Sequence, residues 1–417
     1  MSRAHLAAVE DEIIKCMRCG NCQAVCPLYR ETRWEPAVAR GKVRLAQAVL
    51  KGELSCTVEL KKRFDLCLTC MACVANCPSG VRVDRIILAA RAALAEACGL
   101  PVPARTALGV MRRPRLFEGV ARTLSRVQGL FFKRRAGGMT PRFPVGLEWR
   151  RVFPPLSAVP FRSRVPEENP VKGAGSQVAL FTGCLANYIY TGTGEGALRA
   201  LNAAGVSVVV PKGQHCCGYP ALVNGAMELA WEMARSHVQL FHALGCDAVI
   251  TLCGTCGEAF KLYYPELLVD DPLGEAAAAL SERTYDVTQF LWSVPPLDLD
   301  RLRKVDAVIT YHEPCHLGRG LGVKDEPLAL IRAIPGVRFA PLKDPARCCG
   351  GAGSFSLTHY NLAATVRQRK LDDIVQTGGE IVATGCSACR MHLEEGIAQQ
   401  GLPQKVMHTI ELLASAL

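Results

Sequence analysis

Three regimes of hydrophobic patterning follow one another along the chain. In the first hundred residues the apolar positions fall at helical spacing. "GKVRLAQAVLKGEL" places Val43, Leu45, Ala46, Val49 and Leu50 on this period, and "VRVDRIILAARAALAEACGL" predicts a helix that stops at Gly99 and Pro101. Next comes a stretch punctuated by Pro and Gly, from 101 to about 175. Its segment "RRPRLFEGVARTLSRVQGLFFKRR" predicts an amphipathic helix with Leu116, Val120, Leu124 and Val127 on one face, a face suited to packing against a core. From Gln177 onward, short β-like runs alternate with helical ones. "QVALFTGC" and "VSVVVP" predict buried strands, whereas "TGTGEGALRALNAAG" and "AMELAWEMARSHVQLFHALG" predict helices. That alternation is the pattern of α/β units.

The third regime is an internal repeat. One copy carries Cys184, then Cys216–Cys217–Gly218, then Cys253-x2-Cys256. The other carries Cys315, Cys348–Cys349–Gly350 and Cys386-x2-Cys389. The gaps between ligand groups are 31 and 35 residues in one copy and 32 and 36 in the other, and the flanking text matches as well: "AVITLCGTCG" with "EIVATGCSACR", "DVTQFL" with "HTIELL". Two homologous domains therefore each bring five cysteines to one place.

The helical first regime has its own repeat, "CMRCGNCQAVCP" and "CLTCMACVANCP". In a C-x2-C-x2-C-x3-C-P run three cysteines wrap one cubane and the fourth is carried to the neighbouring cluster. Two runs imply two 4Fe–4S clusters with exchanged ligands: Cys16, Cys19, Cys22 and Cys77 for one, and Cys67, Cys70, Cys73 and Cys26 for the other. Zinc needs only four tetrahedral ligands and leaves the middle cysteine of each triplet without a partner. Pro27 and Pro78 turn the chain away after the fourth cysteine without offering an N–H. The five-cysteine sets differ, because the side chains of adjacent cysteines diverge and suit an opened cluster better than an ordinary cubane. Gly218 and Gly350 would let the backbone pass close to it. The competing reading is a zinc site with a spare cysteine in each copy. Cys56, Cys98 and Cys246 stand outside every pattern and read as small buried apolar residues.

Composition narrows the setting. Among 417 residues there are 21 cysteines, and no run of 18 uncharged apolar residues exists, so a membrane-spanning helix is not expected. Acidic residues in "MSRAHLAAVEDEIIKC" argue against a signal peptide, which leads to the expectation of a cytoplasmic protein whose thiols are reduced and bind metal. The net charge of +11 is concentrated between Pro101 and Lys172, where 15 Lys and Arg face four Asp and Glu. No nucleic-acid-binding motif accompanies the basic stretch, so nucleic acid is not an expected partner. A solvated linker, an acidic partner subunit or an anionic membrane surface each accounts for it.

Histidines gather near these cysteines: His312 and His316 bracket Cys315, His215 precedes Cys216, and His408 opens a matching segment. Each reads first as a hydrogen-bonded core residue. The second reading is a proton donor beside a reduced substrate, for which His312 and His316 are the catalytic candidates. No G-x-G-x-x-G follows a strand, and "GTGEG" at Gly192 to Gly196 is a weak echo, so a flavin would have to reside on another chain.

This arrangement resembles the iron–sulfur subunit of glycolate oxidase, with local matches in "CLTCMACVANCPSGVRV", "CCGGAGSFSLTH" and "HTIELLASAL". The layout is shared by the iron–sulfur subunit of anaerobic glycerol-3-phosphate dehydrogenase and by the fused catalytic subunit of membrane-linked heterodisulfide reductases. The likeness spans nearly the whole chain except its basic middle. It implies an α+β multidomain protein: an all-α helical ferredoxin domain over 1–100 with two 4Fe–4S clusters, a basic connector over 101–175, and two homologous α/β CCG domains over 176–295 and 304–417. It further implies FAD on a partner oxidase subunit that oxidises glycolate or lactate. Electrons would leave through this chain to quinone or another carrier, with peripheral membrane association as a further expectation. In the glycolate oxidase subunit the late cysteine pairs are partly degenerate. Here Cys253–Cys256 and Cys386–Cys389 are intact, as in the heterodisulfide reductase relatives, so each CCG domain is expected to bind a cluster with its five cysteines. The alternative function is reduction of a disulfide or quinone directly at such a cluster.

Overall fold

The computed structural model describes residues 3–135, 137–143, 148–293 and 297–417. The expected domain limit at residue 295 lies outside the described residues. The chain divides into two compact units. One comprises Met1–Gly109, Gly218–Glu232 and Gly350–Val366; the other comprises Val110–Cys217, Met233–Cys349 and Arg367–Leu417.

Helices make the first unit. Ala39–Leu50, Val58–Asp65 and Val83–Cys98 pack together around Val43, Ala46, Val49, Leu60, Phe64, Ile86, Ile87, Ala90 and Leu94. The predicted stop after Cys98 is met at Gly99, whose φ is +73°, and a further helix, Val102–Met111, follows. The metal-ligand candidates Cys16, Cys22, Cys67, Cys73 and Cys77 line the edge of this core. Cys56 and Cys98, expected to be buried, are only half-buried; Cys56 packs at the edge of this core, and the Cys98 thiol donates to the Cys56 carbonyl at 3.7 Å. Cys246 is buried as expected.

The second unit opens with the helix Pro114–Phe131 and a hairpin, β1 (Phe132–Arg135) against β2 (Gly138–Pro141). The helix forms as its periodicity predicts, but its apolar face does not enter a core. Leu116, Leu124, Leu130 and Phe131 are exposed, and the buried positions are the small Ala121 and Ser125. Among the described residues no single helix is long and apolar enough to cross a membrane.

Two sheets follow. The first contains β3 (Glu168–Asn169), β4 (Ser176–Phe181), β5 (Val206–Val209), β6 (Ala248–Thr251) and β7 (Thr284–Asp286), in the order β3-β5-β4-β6-β7, with β3 the antiparallel edge. The second contains β8 (Ala307–His312), β9 (Val337–Phe339), β10 (Ile381–Thr384) and β11 (Lys405–His408), in the parallel order β11-β10-β8-β9. Without the β3 edge the two orders are the same, as the sequence repeat requires. The helix after the leading strand of each copy packs on the helix after the closing strand of the other: Thr191–Ala203 on Thr409–Ala416, and Asp325–Ala333 on Val287–Ser293. This reciprocal exchange makes one hydrophobic core of both copies, from Val178 and Leu201 to Ile309 and Leu413. Gly196 explains part of the "GTGEG" run. A Cβ there would lie 3.2 Å from the Ala414 methyl and 3.3 Å from the Ile410 carbonyl, so the glycine lets two helices approach and has no phosphate-binding role to play.

A buried ion triad ties the segment before the first sheet to the last long helix, Ser387–Gln400. Arg151 donates to Glu395 at 3.0 Å and Arg367 donates to its other oxygen at 2.9 Å, with all three side chains at most 6% exposed. Burial alone would raise the Glu395 pKa. His392 and the two guanidinium groups outweigh it and hold the carboxyl at about 2. Its contribution to stability is therefore present above the ordinary carboxylate range and lost as the pH falls towards 2. Glu395→Leu leaves two guanidinium groups buried without their carboxylate, an expected loss of roughly 3–5 kcal/mol. At equal metal content the thermal transition should fall by on the order of 10 °C; an unchanged transition would show the triad to be energetically neutral.

Candidate metal centres

Each C-x2-C-x2-C loop adopts the same strained backbone. Arg18 (φ +59°) and Gly20 (φ +91°) precede the second and third cysteines of the first loop, and Thr69 (φ +49°) and Met71 (φ +56°) take those places in the second. A non-glycine residue in the left-handed region costs about 1–3 kcal/mol and persists where surrounding contacts or a ligand over-determine it. The loop Cys16 to Cys22 lines a cavity that Cys77 also enters, from the opposite run. Cys26, in turn, lies in electrostatic contact with Cys67 and Cys70, and so does Cys73. Backbone N–H groups donate to sulfur, as Tyr29 at a helix start does to Cys26, and Thr69 to Cys67 and Val81 to Cys77, each at 3.4 Å.

Burial pushes the Cys26 thiol up to about 12 and the Cys73 thiol well above its ordinary value. Such thiols ionise together only against a compensating cation, which an iron–sulfur cluster's iron supplies. The donor set fits soft thiolate-bound metal.

In the second unit one cysteine of each set follows directly on each of two strands. Cys184 follows β4 and Cys253 follows β6, the two strands between which the order reverses, where doubly wound sheets bind their ligands. Cys315 and Cys386 hold the same places after β8 and β10. Cys253 (φ −156°, ψ 125°) and Cys386 (φ −146°, ψ 118°) are both extended residues that start a helix, so the repeat extends to backbone geometry. Gly218 (φ +80°) and Gly350 (φ +88°) turn the chain left-handed directly after each cysteine pair.

The two sets meet. The Cys253 and Cys386 sulfurs are 3.5 Å apart, and the Gly254 N–H donates to the Gly385 carbonyl at 3.2 Å. Gly254 is needed for this approach, because a Cβ there would sit 2.7 Å from the Leu317 nitrogen. Thiol contacts run on from Cys184 to Cys216, from Cys217 through Cys256 to Cys253, and from Cys386 through Cys389 to Cys349. Contact with Cys216, burial and repulsion raise the Cys184 thiol; contact with Cys217 does the same for Cys256, and contact with Cys349 for Cys389. Cys315 and Cys348 are buried beside this network, Cys348 within electrostatic reach of His316.

Orphaned polar atoms surround the junction. Among the described residues, both ring nitrogens of His312, the Tyr311 hydroxyl, Glu258 Oε1 and Asp286 Oδ2 are buried without hydrogen-bond partners. A nitrogen of His312 and the sulfurs of Cys349 and Cys389 all lie within 4.8 Å of one another, the spacing of a metal's ligands. Burial holds His312 neutral, its pKa well below the ordinary value. His316 differs: burial lowers its pKa, but the Glu258 carboxylate hydrogen-bonded to Nδ1 outweighs this and raises it. Cysteine spacing does not reveal Glu258, although it stands two residues after Cys256 in "CGTCGE". Nor does it reveal Tyr264, whose hydroxyl donates to the Cys217 carbonyl at 2.9 Å and meets His237 at 3.0 Å. His215 and His408 are hydrogen-bonded core residues. His215 Nδ1 meets the Cys216 carbonyl at 2.9 Å, and His408 meets the Leu252 carbonyl at 3.0 Å while capping the last helix.

Comparison with known proteins accords with these sites. Residues 12–81 match the 4Fe-4S dicluster domain, and residues 178–261 and 309–394 each match the cysteine-rich CCG domain. The chain is 33% identical to lactate utilization protein A of a Geobacillus species, over 57% of this chain and 99% of that protein. It is 31% identical to one of the subunits of the fumarate reductase (CoM/CoB) of Methanothermobacter marburgensis, over 60% of this chain and 48% of that longer protein. It is 30% identical to the probable glycolate oxidase iron–sulfur subunit of Bacillus subtilis, over 98% of this chain and 94% of that one. With its dicluster domain, its paired CCG domains and this end-to-end likeness, the chain is an iron–sulfur protein of the glycolate oxidase iron–sulfur subunit family.

Proposed function

We propose that this chain is the electron-conducting subunit of an FAD-linked dehydrogenase acting on a 2-hydroxy acid, glycolate or lactate. It takes electrons from a separate flavin subunit and passes them towards quinone or another carrier. The observation that carries the reading is the interlocking of the cysteine runs, with Cys26 among Cys67, Cys70 and Cys73, and Cys77 at the cavity of Cys16, Cys19 and Cys22. Ligands exchanged in this way hold two 4Fe–4S clusters as neighbours, and bound clusters supply one-electron redox chemistry. The names of the Bacillus and Geobacillus relatives support the 2-hydroxy acid as the electron source.

On this reading the helical domain spans 1–100, the connector 101–175 and the two CCG domains 176–295 and 304–417. Each CCG set holds a further cluster: Cys184, Cys216, Cys217, Cys253 and Cys256 in one, Cys315, Cys348, Cys349, Cys386 and Cys389 in the other. His312 orients what the second set holds, and His316, anchored by Glu258, carries a proton beside it. A second reading, reduction of a disulfide or quinone at the CCG site itself, is favoured by one observation. Cys253 and Cys386 bring both sets together within a shell of orphaned polar atoms, a place where a substrate would be held between two redox groups. The exposed leucines of Pro114–Phe131, flanked by Arg115, Arg122 and Arg126, suit docking on the flavin subunit or on the inner face of the cytoplasmic membrane.

Anaerobically reconstituted protein should contain roughly 8 iron atoms in its N-terminal domain. Cys19→Ser should remove about half of these, whereas Cys56→Ser should leave them; iron lost equally in both variants would contradict the ligand assignment. In the complex with the flavin subunit, Cys349→Ser should abolish substrate-dependent quinone reduction while the flavin still reduces an artificial dye. Full quinone activity in that variant would make the second CCG domain structural. Charge reversal at Arg112, Arg115 and Lys133 should release the chain from its partner with cluster spectra intact. Wild-type association should weaken steeply as salt shortens the Debye length below about 8 Å. Association indifferent to salt would reduce the basic segment to a solvated linker.

A further inference from the structure

Two cations are buried in the helical unit where the hydrophobic pattern calls for apolar side chains. Lys42 lies on the inward stripe of Ala39–Leu50 with Val43, Ala46 and Val49, and is 1% exposed. Arg91 lies on the buried face of Val83–Cys98 and is 6% exposed. Neither has a carboxylate in ion-pair contact among the described residues. The Lys42 ammonium donates to the carbonyls of Pro36 and Arg63, each at 2.6 Å. The Arg91 guanidinium donates to the carbonyls of Phe64 at 3.1 Å, Cys67 at 2.9 Å and Val223 at 3.0 Å. Burial lowers the Lys42 pKa to about 8 and Arg91 repels its charge, while the groups favouring that charge are first the Cys67 sulfur and then Cys26. Asp65, the nearby carboxylate, is already held by Lys61 at 2.7 Å.

A buried ammonium beside a guanidinium, with only dipoles for company, is costly to fold. The arrangement becomes favourable when an anion lies between and in front of them. The thiolate set of Cys26, Cys67, Cys70 and Cys73 holds such an anion once a 4Fe–4S cluster is bound, because four thiolates leave the assembly with net negative charge that grows on reduction. Burial by itself disfavours that extra electron, whereas a nearby buried cation favours it. The other set is placed differently. Cys19 and Met17 are exposed, and Arg40, which lines their cavity beside Cys22, is half-buried and already paired with Glu35.

We propose that Lys42, supported by Arg91, is a built-in countercharge that raises the reduction potential of the cluster held by Cys26, Cys67, Cys70 and Cys73, and leaves the other cluster of the domain largely unaffected. The inference rests on the two-cluster reading above. Lys42 acts through its field and does not ligate iron, so it is a positioning residue for the electron and not a catalytic one. The backbone carbonyls of Pro36 and Arg63 fix the ammonium, which removes the reorganisation that a mobile surface lysine would undergo at each electron transfer.

The test is a redox titration of the anaerobically reconstituted full chain, followed by electron paramagnetic resonance of the reduced clusters. In Lys42→Gln one of the two midpoints should fall by at least about tenfold in the reduced-to-oxidised ratio, about 59 mV for a one-electron couple. The other midpoint should stay, and Lys42→Arg should restore the first. Arg91→Gln, titrated in the same way, should shift the same midpoint in the same direction. Both midpoints unchanged in whichever glutamine variant retains its iron, or both displaced equally, overturns the proposal. Wild-type protein lacking two 4Fe–4S signals would overturn the two-cluster reading itself, an outcome separate from unmoved midpoints in protein that has both.

Discussion

Thiols gathered in a low-dielectric interior repel one another as soon as more than one ionises, and that single constraint shapes both units. Each thiolate is disfavoured by burial and again by its neighbours, as Cys26, Cys73, Cys184 and Cys389 illustrate. The chain nevertheless invests in bringing them together. It adopts left-handed backbone at Arg18, Thr69 and Met71 without glycine, and it reserves glycine at position 254 so that two loops can touch. Such strain is stable when a bound group offsets it, and a metal cluster at thiolate sulfur does so through both charge and coordination.

Much of this was legible in the sequence because cysteine spacing encodes geometry directly. The expectation that Cys26 and Cys77 are exchanged comes from the spacing of the runs, and the equivalence of the β4–β7 and β8–β11 sheets follows from near-equal gaps between the repeated cysteines. Hydrophobic patterning located β4, β5 and the helices Thr191–Ala203 and Met227–Leu244. What was hidden depends on contacts distant in sequence. The meeting of Cys253 with Cys386 joins residues whose separation no local period reports. Periodicity places Leu116 and Leu124 on one face of Pro114–Phe131 but does not say whether that face is covered, and it is not. Cys56 and Cys98 resemble apolar residues by type yet are only half-buried, Cys56 at the edge of the helical core and Cys98 with its thiol on the Cys56 carbonyl. Lys42 and Arg91 escaped the periodicity, which follows the apolar positions; their burial makes them a violation of the helix pattern of the kind that accompanies function.

The two kinds of centre differ in the freedom left around the sulfur. In the helical unit the four-cysteine sets and the N–H groups of Tyr29, Thr69 and Val81 surround the site with donors already directed at sulfur, which suits storage and transfer of an electron without a bound substrate. At the CCG junction, His312, Tyr311, Glu258 and Asp286 keep unspent hydrogen-bonding capacity within the protein interior. Unsatisfied buried groups are rare in native proteins, and those that persist mark places where another chemical group belongs. On the proposed function the helical unit is the relay, and the CCG pair the place where electrons meet protons or a substrate.

The most direct test of this account is the position of iron itself. Anomalous difference maps recorded at the iron edge from crystals of the anaerobically reconstituted chain should show one compact peak among Cys16, Cys19, Cys22 and Cys77, a second among Cys26, Cys67, Cys70 and Cys73, and further density beside Cys253 and Cys386. Zinc-edge density at these cysteines without iron would contradict it, as would iron peaks in which each run of four cysteines encloses its own cluster without exchange.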